Sequence, residues 1–204
     1  MVIAIDGPAG AGKSTVARAV AERLGFTYLD TGAMYRCVGL AAAERGLPPA
    51  AVAETVEIEL GDGVVRLDGR DVTAAIRTPE ASEAASRAAA DPAVRRALVA
   101  RQRALVAAGD WVAEGRDIGT VVAPDAAVKV FLTASAQERA RRRAAQIGAD
   151  VRTVLAEQAI RDERDATRAH APLAPAPDAT TLDTTGMSLE QVVDAVVALV
   201  PERR

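Results

Sequence analysis

The stretch "AIDGPAGAGKST", residues 4–15, decides how the rest of the chain is read. Gly7, Gly12, Lys13 and Ser14 fall on the spacing G-x-x-x-x-G-K-[ST], in which a glycine-rich backbone turns its N–H groups inward around an anionic phosphate chain. The flanks supply the context this pattern needs. Val2, Ile3, Ala4 and Ile5 form a short apolar run that reads as a buried strand, and Val16, Val20 and Leu24 recur at helical spacing just after it. Within the loop Gly7, Pro8, Ala9, Gly10, Ala11, Gly12, Lys13, Ser14 and Thr15 are the expected nucleotide contacts. The helix N-terminus adds positive potential, Lys13 reaches the β- and γ-phosphates, and the Ser14 hydroxyl ligates Mg²⁺ that arrives with the nucleotide.

Composition bounds the reading from outside. At 204 residues, half of them hydrophobic, the chain suits one domain with a sizeable core, or one domain carrying small insertions. No apolar run approaches the length of a membrane span, and no charged region leads into an apolar signal segment, so a cytoplasmic protein is expected. Cys37 stands alone and reads as a small buried side chain. A formal net charge of −3 argues against nucleic-acid polymers as partners, since their binding needs a basic field. Of the 25 basic residues only Lys13 and Lys129 are lysine, and arginine favours bidentate grips on phosphate and carboxylate.

Further along, Phe26 to Leu29 reads as a second strand ending at Asp30, followed by a helix from Ala33 to Arg45 that Gly46, Pro48 and Pro49 break. Val56, Ile58 and Leu60 alternate with Glu57 and Glu59, and "VVRLDGRDVT" has the look of a hairpin turning at Asp68-Gly69, so a small antiparallel insertion is expected here. Helical patterning resumes from Pro79, with Pro92 opening a second helix after the cap Asp91. Trp111 to Ala113 and Ala127 to Leu132 read as buried strands. The last strand and helix lie in "LDTTGMSLEQVVDAVVALV", with Ser188 as cap and Gln191 three residues on. Strands alternating with helices imply an α/β fold, a doubly wound parallel sheet flanked by helices.

A phosphate-binding loop alone serves switches, motors and transferases, so the acceptor must be found elsewhere. The guanine-reading motif N-K-x-D needs asparagine, which this chain lacks. "LDTGAMYR" follows the second strand and "AEGRDIGT" the third, at the mouth of such a sheet. Arg36 and Arg116 are placed to grip an anionic acceptor, and Asp117 to accept hydrogen bonds from it.

The combination "IDGPAGAGKST", "LDTGAMYR", "IRTPEASEAASRAAADPAVRRALVARQRA", "AEGRDIGTVVAPDA" and "RDERDATR" closely resembles the bacterial cytidylate kinases, P-loop nucleoside monophosphate kinases that move the γ-phosphoryl of ATP to CMP or dCMP. The resemblance runs nearly end to end, and "GRDIGTVV" and "RDERDATR" are its specific parts. It implies that Ser86, Arg95 and Asp117 contact the cytosine ring and that Arg36 and Arg116 bind the acceptor phosphate. Thr31 and Tyr35 lie in the same acceptor motif, and Arg161, Asp165 and Arg168 match positions that hold sugar and phosphate. Lys13, Arg116 and Arg161 are the residues expected to carry the transfer.

By the same resemblance the chain divides into a core (1–46) with the P-loop, a monophosphate-binding insertion (47–80), more core (81–132), a helical lid (133–160) and a final core segment (161–204). One of Arg139, Arg141, Arg142 and Arg143 would fold over the transferring phosphoryl, the others forming a solvated face. Glu114 stands where the family pattern often has aspartate, and it or Asp117 would orient the waters of Mg²⁺. A phosphate acceptor is already a charged nucleophile and needs no general base. The single histidine, His170, accordingly reads as an incidental loop residue. A hydroxyl acceptor would call for a base such as Asp30 or Asp117. Two alternatives stay open: a small-metabolite kinase of the shikimate or gluconate type, and a regulatory module that binds nucleotide without chemistry. A monomer is expected.

Overall fold

The computed structural model describes residues 1–61, 63–167 and 171–201. In chain order the elements are β1 (Val2–Asp6), α1 (Lys13–Leu24), β2 (Thr27–Asp30), α2 (Thr31–Arg45), α3 (Pro49–Ala53), β3 (Ile58–Gly61), β4 (Val64–Leu67), β5 (Arg70–Asp71), α4 (Pro79–Ala88) and α5 (Pro92–Val106). They continue with β6 (Trp111–Glu114), β7 (Val128–Thr133), α6 (Ala136–Ile147), α7 (Val151–Ala166), β8 (Thr180–Asp183) and α8 (Leu189–Val197). A 3-10 turn at Ala75–Arg77 and a π-type turn at Ile118–Val122 complete the set.

Ile3, Ala4 and Ile5 are fully buried, as an unbroken apolar run must be when both faces of a strand are covered. β1 is accordingly central. The five-stranded sheet has the order β2-β6-β1-β7-β8, and β1 pairs in parallel with β6 (Ile3 opposite Val112) and with β7 (Ile5 opposite Val130). β8 extends the sheet in parallel beyond β7. The chain winds outward from β1 to β2, returns through β6, and then builds in the other direction, which is the doubly wound arrangement expected of the alternating pattern. The loops after β1 and β6 therefore leave the sheet side by side.

Contacts group the chain into two compact units, Met1–Tyr28 with Ala108–Arg204, and Leu29–Ala107. In the first, Ile3, Ile5, Val112, Val130 and Leu132 pack with Val16 and Val20 of α1 and with Val192, Val193 and Val196 of α8. The start of α8 is the capping box that the sequence announces: Ser188 Oγ accepts from the Gln191 N–H at 3.2 Å and Gln191 Oε1 from the Ser188 N–H at 2.9 Å. Such a cap is worth ~1 kcal/mol.

The second unit has its own core, with Met34, Val38, Leu67, Ile76 and Leu98 almost wholly buried. α2 starts at Thr31, two residues before the expected Ala33. The Asp30 carboxylate accepts the Ala33 N–H at 2.8 Å and caps the helix, which overrides the weak helix propensity of Thr31 and Gly32. Asp68 and Gly69 both take left-handed φ (51° and 77°), as the two-residue turn between β4 and β5 demands. Pro92 opens α5 with Asp91 as its cap. A Cβ built on Gly39 would lie 2.9 Å from the Ala84 Cβ, so α2 and α4 approach at a spacing that only glycine permits. Cys37 is fully buried on α2. Among the described residues no helix is long and apolar enough to cross a membrane.

Candidate active site

The P-loop emerges from β1 against the backbone of β7. Gly7 adopts φ 145°, and a Cβ there would stand 2.0 Å from the Leu132 carbonyl oxygen, so no side chain fits. Lys13 opens α1, is 7% exposed, and donates from Nζ to the Pro8 carbonyl at 2.8 Å, folding back along the loop. Burial, reinforced by the nearby Arg116, pulls its ammonium down to about 7. Ser14 and Thr15 next to it are exposed.

Arg116 leaves the end of β6 and is fixed at two points. Its Nη1 donates to the Gly7 carbonyl and its Nε to Asp165 Oδ2, each at 3.0 Å. Asp165 lies one turn beyond Arg161 on α7, so the two side chains share a helix face. Arg161 also acts electrostatically on Lys13. Four residues that are far apart in sequence, Lys13, Arg116, Arg161 and Asp165, thus converge at the P-loop, three of them cations gathered beside the loop backbone. That is a site for a polyanion.

Two carboxylates complete this side. Glu114 is buried at the end of β6 and accepts from the Tyr28 hydroxyl at 2.8 Å. Asp6, which sequence reading passed over, closes β1. Its two oxygens accept the N–H groups of Ile118 and Gly119 at 2.8 Å each, and burial pushes its carboxyl up to about 6. Asp117 is buried between Arg116 and that turn, and its charge adds to the upward push on Asp6. The signal for Asp6 was present in the sequence: a charged residue ending an otherwise apolar strand, one position before the first P-loop glycine.

The arginines of 133–160 divide by burial. Arg139 is 9% exposed and holds three acceptors: Ala134 O from Nε at 3.1 Å, and Ala9 O and Asp162 Oδ2 from Nη1 at 3.0 and 2.6 Å. Arg141 is exposed and grips Glu138 bidentately, matching the solvated-face reading. Arg142 reaches Thr184 Oγ1 and Thr184 O, and Arg143 donates to Gln146.

In the second unit Thr31 and Tyr35 lie one turn apart on α2, both buried. Arg36 donates from Nη2 to Asp30 Oδ2 at 2.7 Å, so Asp30 both caps the helix and orients the guanidinium. Gly32 leaves room for it, since a Cβ there would meet Arg36 Nη1 at 3.0 Å. Ser86 on α4 and Arg95 on α5 are buried polar side chains. Arg168 and His170 lie outside the described residues.

A family model described as cytidylate kinase matches residues 3–202. The chain belongs to the cytidylate kinase family. It is 50% identical to the cytidylate kinase of Solibacter usitatus, an alignment covering 100% of this chain and 93% of that protein. It is also 50% identical to the cytidylate kinase of Pseudomonas aeruginosa, over 96% of this chain and 93% of the relative. Among solved structures, a gluconokinase from Sinorhizobium meliloti superposes with a TM-score of 0.54 at 18% identity, covering 97% of this chain and 90% of the other. That likeness is one of fold.

Proposed function

We propose that the chain transfers the γ-phosphoryl group of ATP to CMP or dCMP, giving ADP and CDP or dCDP. The observation that carries this reading is the convergence of Lys13, Arg116 and Arg161 around a P-loop in a chain whose family is cytidylate kinase. Phosphoryl transfer between two phosphates needs alignment and charge neutralisation and little covalent help, and a cationic cluster suits it. In this reading the P-loop, Gly7 to Thr15, cradles the ATP phosphates and Lys13 draws charge toward the γ-phosphoryl. Arg116 and Arg36 bind the acceptor phosphate. Arg161, Asp165 and Arg168 hold its sugar and phosphate, Ser86, Arg95 and Asp117 read cytosine, and Thr31 and Tyr35 line the acceptor motif. Cytosine offers an exocyclic amine that the Asp117 carboxylate can accept, where uracil offers a carbonyl that it would repel.

The donor set suits Mg²⁺. The Ser14 hydroxyl is exposed on the first turn of α1 beside Lys13, and the nearby acids Glu114 and Asp117 are hard oxygen donors able to hold metal-bound waters. When bound, Mg²⁺ neutralises the β- and γ-phosphate oxygens. The segment 47–80 is read as the monophosphate-binding insertion and 133–160 as the lid. A cytoplasmic monomer acting on free nucleotides completes the proposal.

The test is ADP release from Mg-ATP with CMP, dCMP, UMP, AMP, GMP, shikimate and gluconate offered separately. Turnover confined to CMP and dCMP is the expected result. Turnover with shikimate or gluconate, or nucleotide binding with no acceptor-dependent turnover, would replace the proposal with one of its rivals.

A further inference from the structure

Asp6 is a buried carboxylate with no place in the roles assigned so far, and its contacts are specific. It is 5% exposed, and each oxygen accepts one backbone N–H, from Ile118 and from Gly119, at 2.8 Å. Those two amides open the π-type turn Ile118–Val122, directly after Arg116 and Asp117. The next residue along from Asp6, Gly7, gives its carbonyl to Arg116 Nη1 at 3.0 Å. Two consecutive residues at the end of β1 therefore hold the loop after β6 on both sides of Asp117. Gly119 leaves little room for a side chain, since a Cβ there would come within 3.3 Å of the Lys129 stem and 3.5 Å of Asp6 Oδ2. Lys129 itself is held by both carboxylate oxygens of Asp178, at 2.9 and 2.7 Å.

Within the turn the N–H groups of Val121 and Val122 reach the Asp117 carbonyl at 2.8 and 3.2 Å and that of Ala123 the Ile118 carbonyl at 2.7 Å, while the N–H groups of Ile118 and Gly119, at its start, go to Asp6. The only acceptors that present two lone-pair sites in a fixed plane at this reach are the oxygens of an ionised carboxylate. An amide in its place offers one oxygen and turns an NH₂ donor toward the second N–H. We infer that Asp6 is a positioning residue for cytosine selection: by clamping the amides of Ile118 and Gly119 it fixes the direction in which Asp117 presents its carboxylate to the base. The inference rests on the proposed role of Asp117 in reading cytosine. It goes beyond that role by locating part of the base specificity in the strand that carries the P-loop.

The decisive experiment is steady-state kinetics of the full chain and of Asp6→Asn with CMP and UMP as acceptors, with Asp117→Ala run beside them. Asp6→Asn is expected to raise KM for CMP about tenfold and to cut the preference for CMP over UMP by a similar factor, while KM for ATP stays within about twofold. Loss of stability alone would lower the melting temperature and the active fraction, and so kcat, without moving the CMP-to-UMP ratio. An unchanged ratio in Asp6→Asn, when Asp117→Ala abolishes the preference, overturns the role of Asp6. An unchanged ratio in Asp117→Ala overturns instead the reading on which it rests. Should Asp6→Asn not fold, Asp6→Ser is measured in its place; its single hydroxyl oxygen leaves one amide without its partner and adds no amide donor, and the same ratio decides.

Discussion

Arg116 and Asp165, 49 positions apart, are joined by a hydrogen bond of 3.0 Å from Nε to Oδ2, and both side chains are largely buried. The pair fixes the guanidinium plane while Nη1 is spent on the Gly7 carbonyl. Removing the carboxylate leaves a buried cation without its counter-charge, which costs ~3 kcal/mol in comparable sites. Asp165→Ala is expected to lower the midpoint of chemical denaturation and to raise KM for CMP at least tenfold. Asp165→Asn, which keeps one acceptor oxygen, should recover most of the stability and less of the KM. Kinetics unchanged from the parent chain in both variants would show that the carboxylate acts on stability only.

Lys13 gives a pH signature. Burial, with Arg116 and Arg161 nearby, draws its ammonium from an ordinary 10.5 down to about 7 in the free chain. Between about 7 and 10.5 the unfolded chain therefore binds more protons than the folded one, and stability rises with pH across that window; the cost of the buried charge is fully present below about 7. An anionic phosphate chain restores the charged form, so nucleotide binding at pH 8 should take up a proton. Titration calorimetry of ATP in two buffers of different ionisation enthalpy measures that uptake. Identical heats in both buffers would contradict it.

Arg139 ties the P-loop to the α6–α7 hairpin through Ala9 O and Asp162. Arg139→Ala should loosen the loop and raise KM for ATP roughly tenfold, since several charge-assisted and neutral hydrogen bonds are lost together. Arg139→Lys keeps a cation for Asp162 but lacks the planar fork that reaches the two carbonyls, and should fall between the two. The comparison of KM for ATP across the three proteins checks this, and equal values would exclude a role in shaping the loop.

Gly7→Ala meets a backbone oxygen. With 2.0 Å between a Cβ and Leu132 O, and φ at 145°, the strand or the loop must move. A loss of about 3 kcal/mol or more is expected, with ATP binding abolished. Thermal melting with and without ATP is the check, and a native-like melt with a normal nucleotide-induced shift is the outcome that contradicts it.

Cys37 should be inert in the native fold. Burial pushes its thiol up to about 12, against the opposing pull of Arg36, so the reactive thiolate is scarce at neutral pH. A chromogenic disulfide reagent should label it only after denaturation. Above about pH 9 the unfolded chain sheds this proton while the folded chain keeps it, so this group lowers stability as pH rises from about 9 to 12. Rapid labelling of the native protein would contradict the burial.

The P-loop, the strand–helix alternation behind the parallel sheet and the starts of α5 and α8 could be read from sequence because each rests on local chemistry. Gly7 to Ser14 keep a fixed spacing, Ser188 and Gln191 cap at a fixed offset, and Asp68-Gly69 suits one turn type. The start of α2 was misjudged by two residues because Asp30, a side chain outside the helix, sets it. Arg116 and Asp117 were visible through the motif that contains them. A charge closing an apolar strand marks Asp6 itself, but its partners, the strut from Arg139 to Ala9 O and the Tyr28–Glu114 contact were not legible, since each is a pairing across 86 to 130 positions that no periodicity marks. The π-type turn escaped for the same reason: the partner of its first two amides is distant in sequence.

Gly39 shows how far from a ligand a demand on sequence can reach. It faces Ala84 and the backbone beside it, and it sets how closely the helix bearing Arg36 can lie against the helix bearing Ser86. Adding one methyl group there would act as a wedge. The resulting fault would surface as poor handling of the acceptor in an otherwise well-folded protein, and a search confined to the residues that contact substrate would never find its origin.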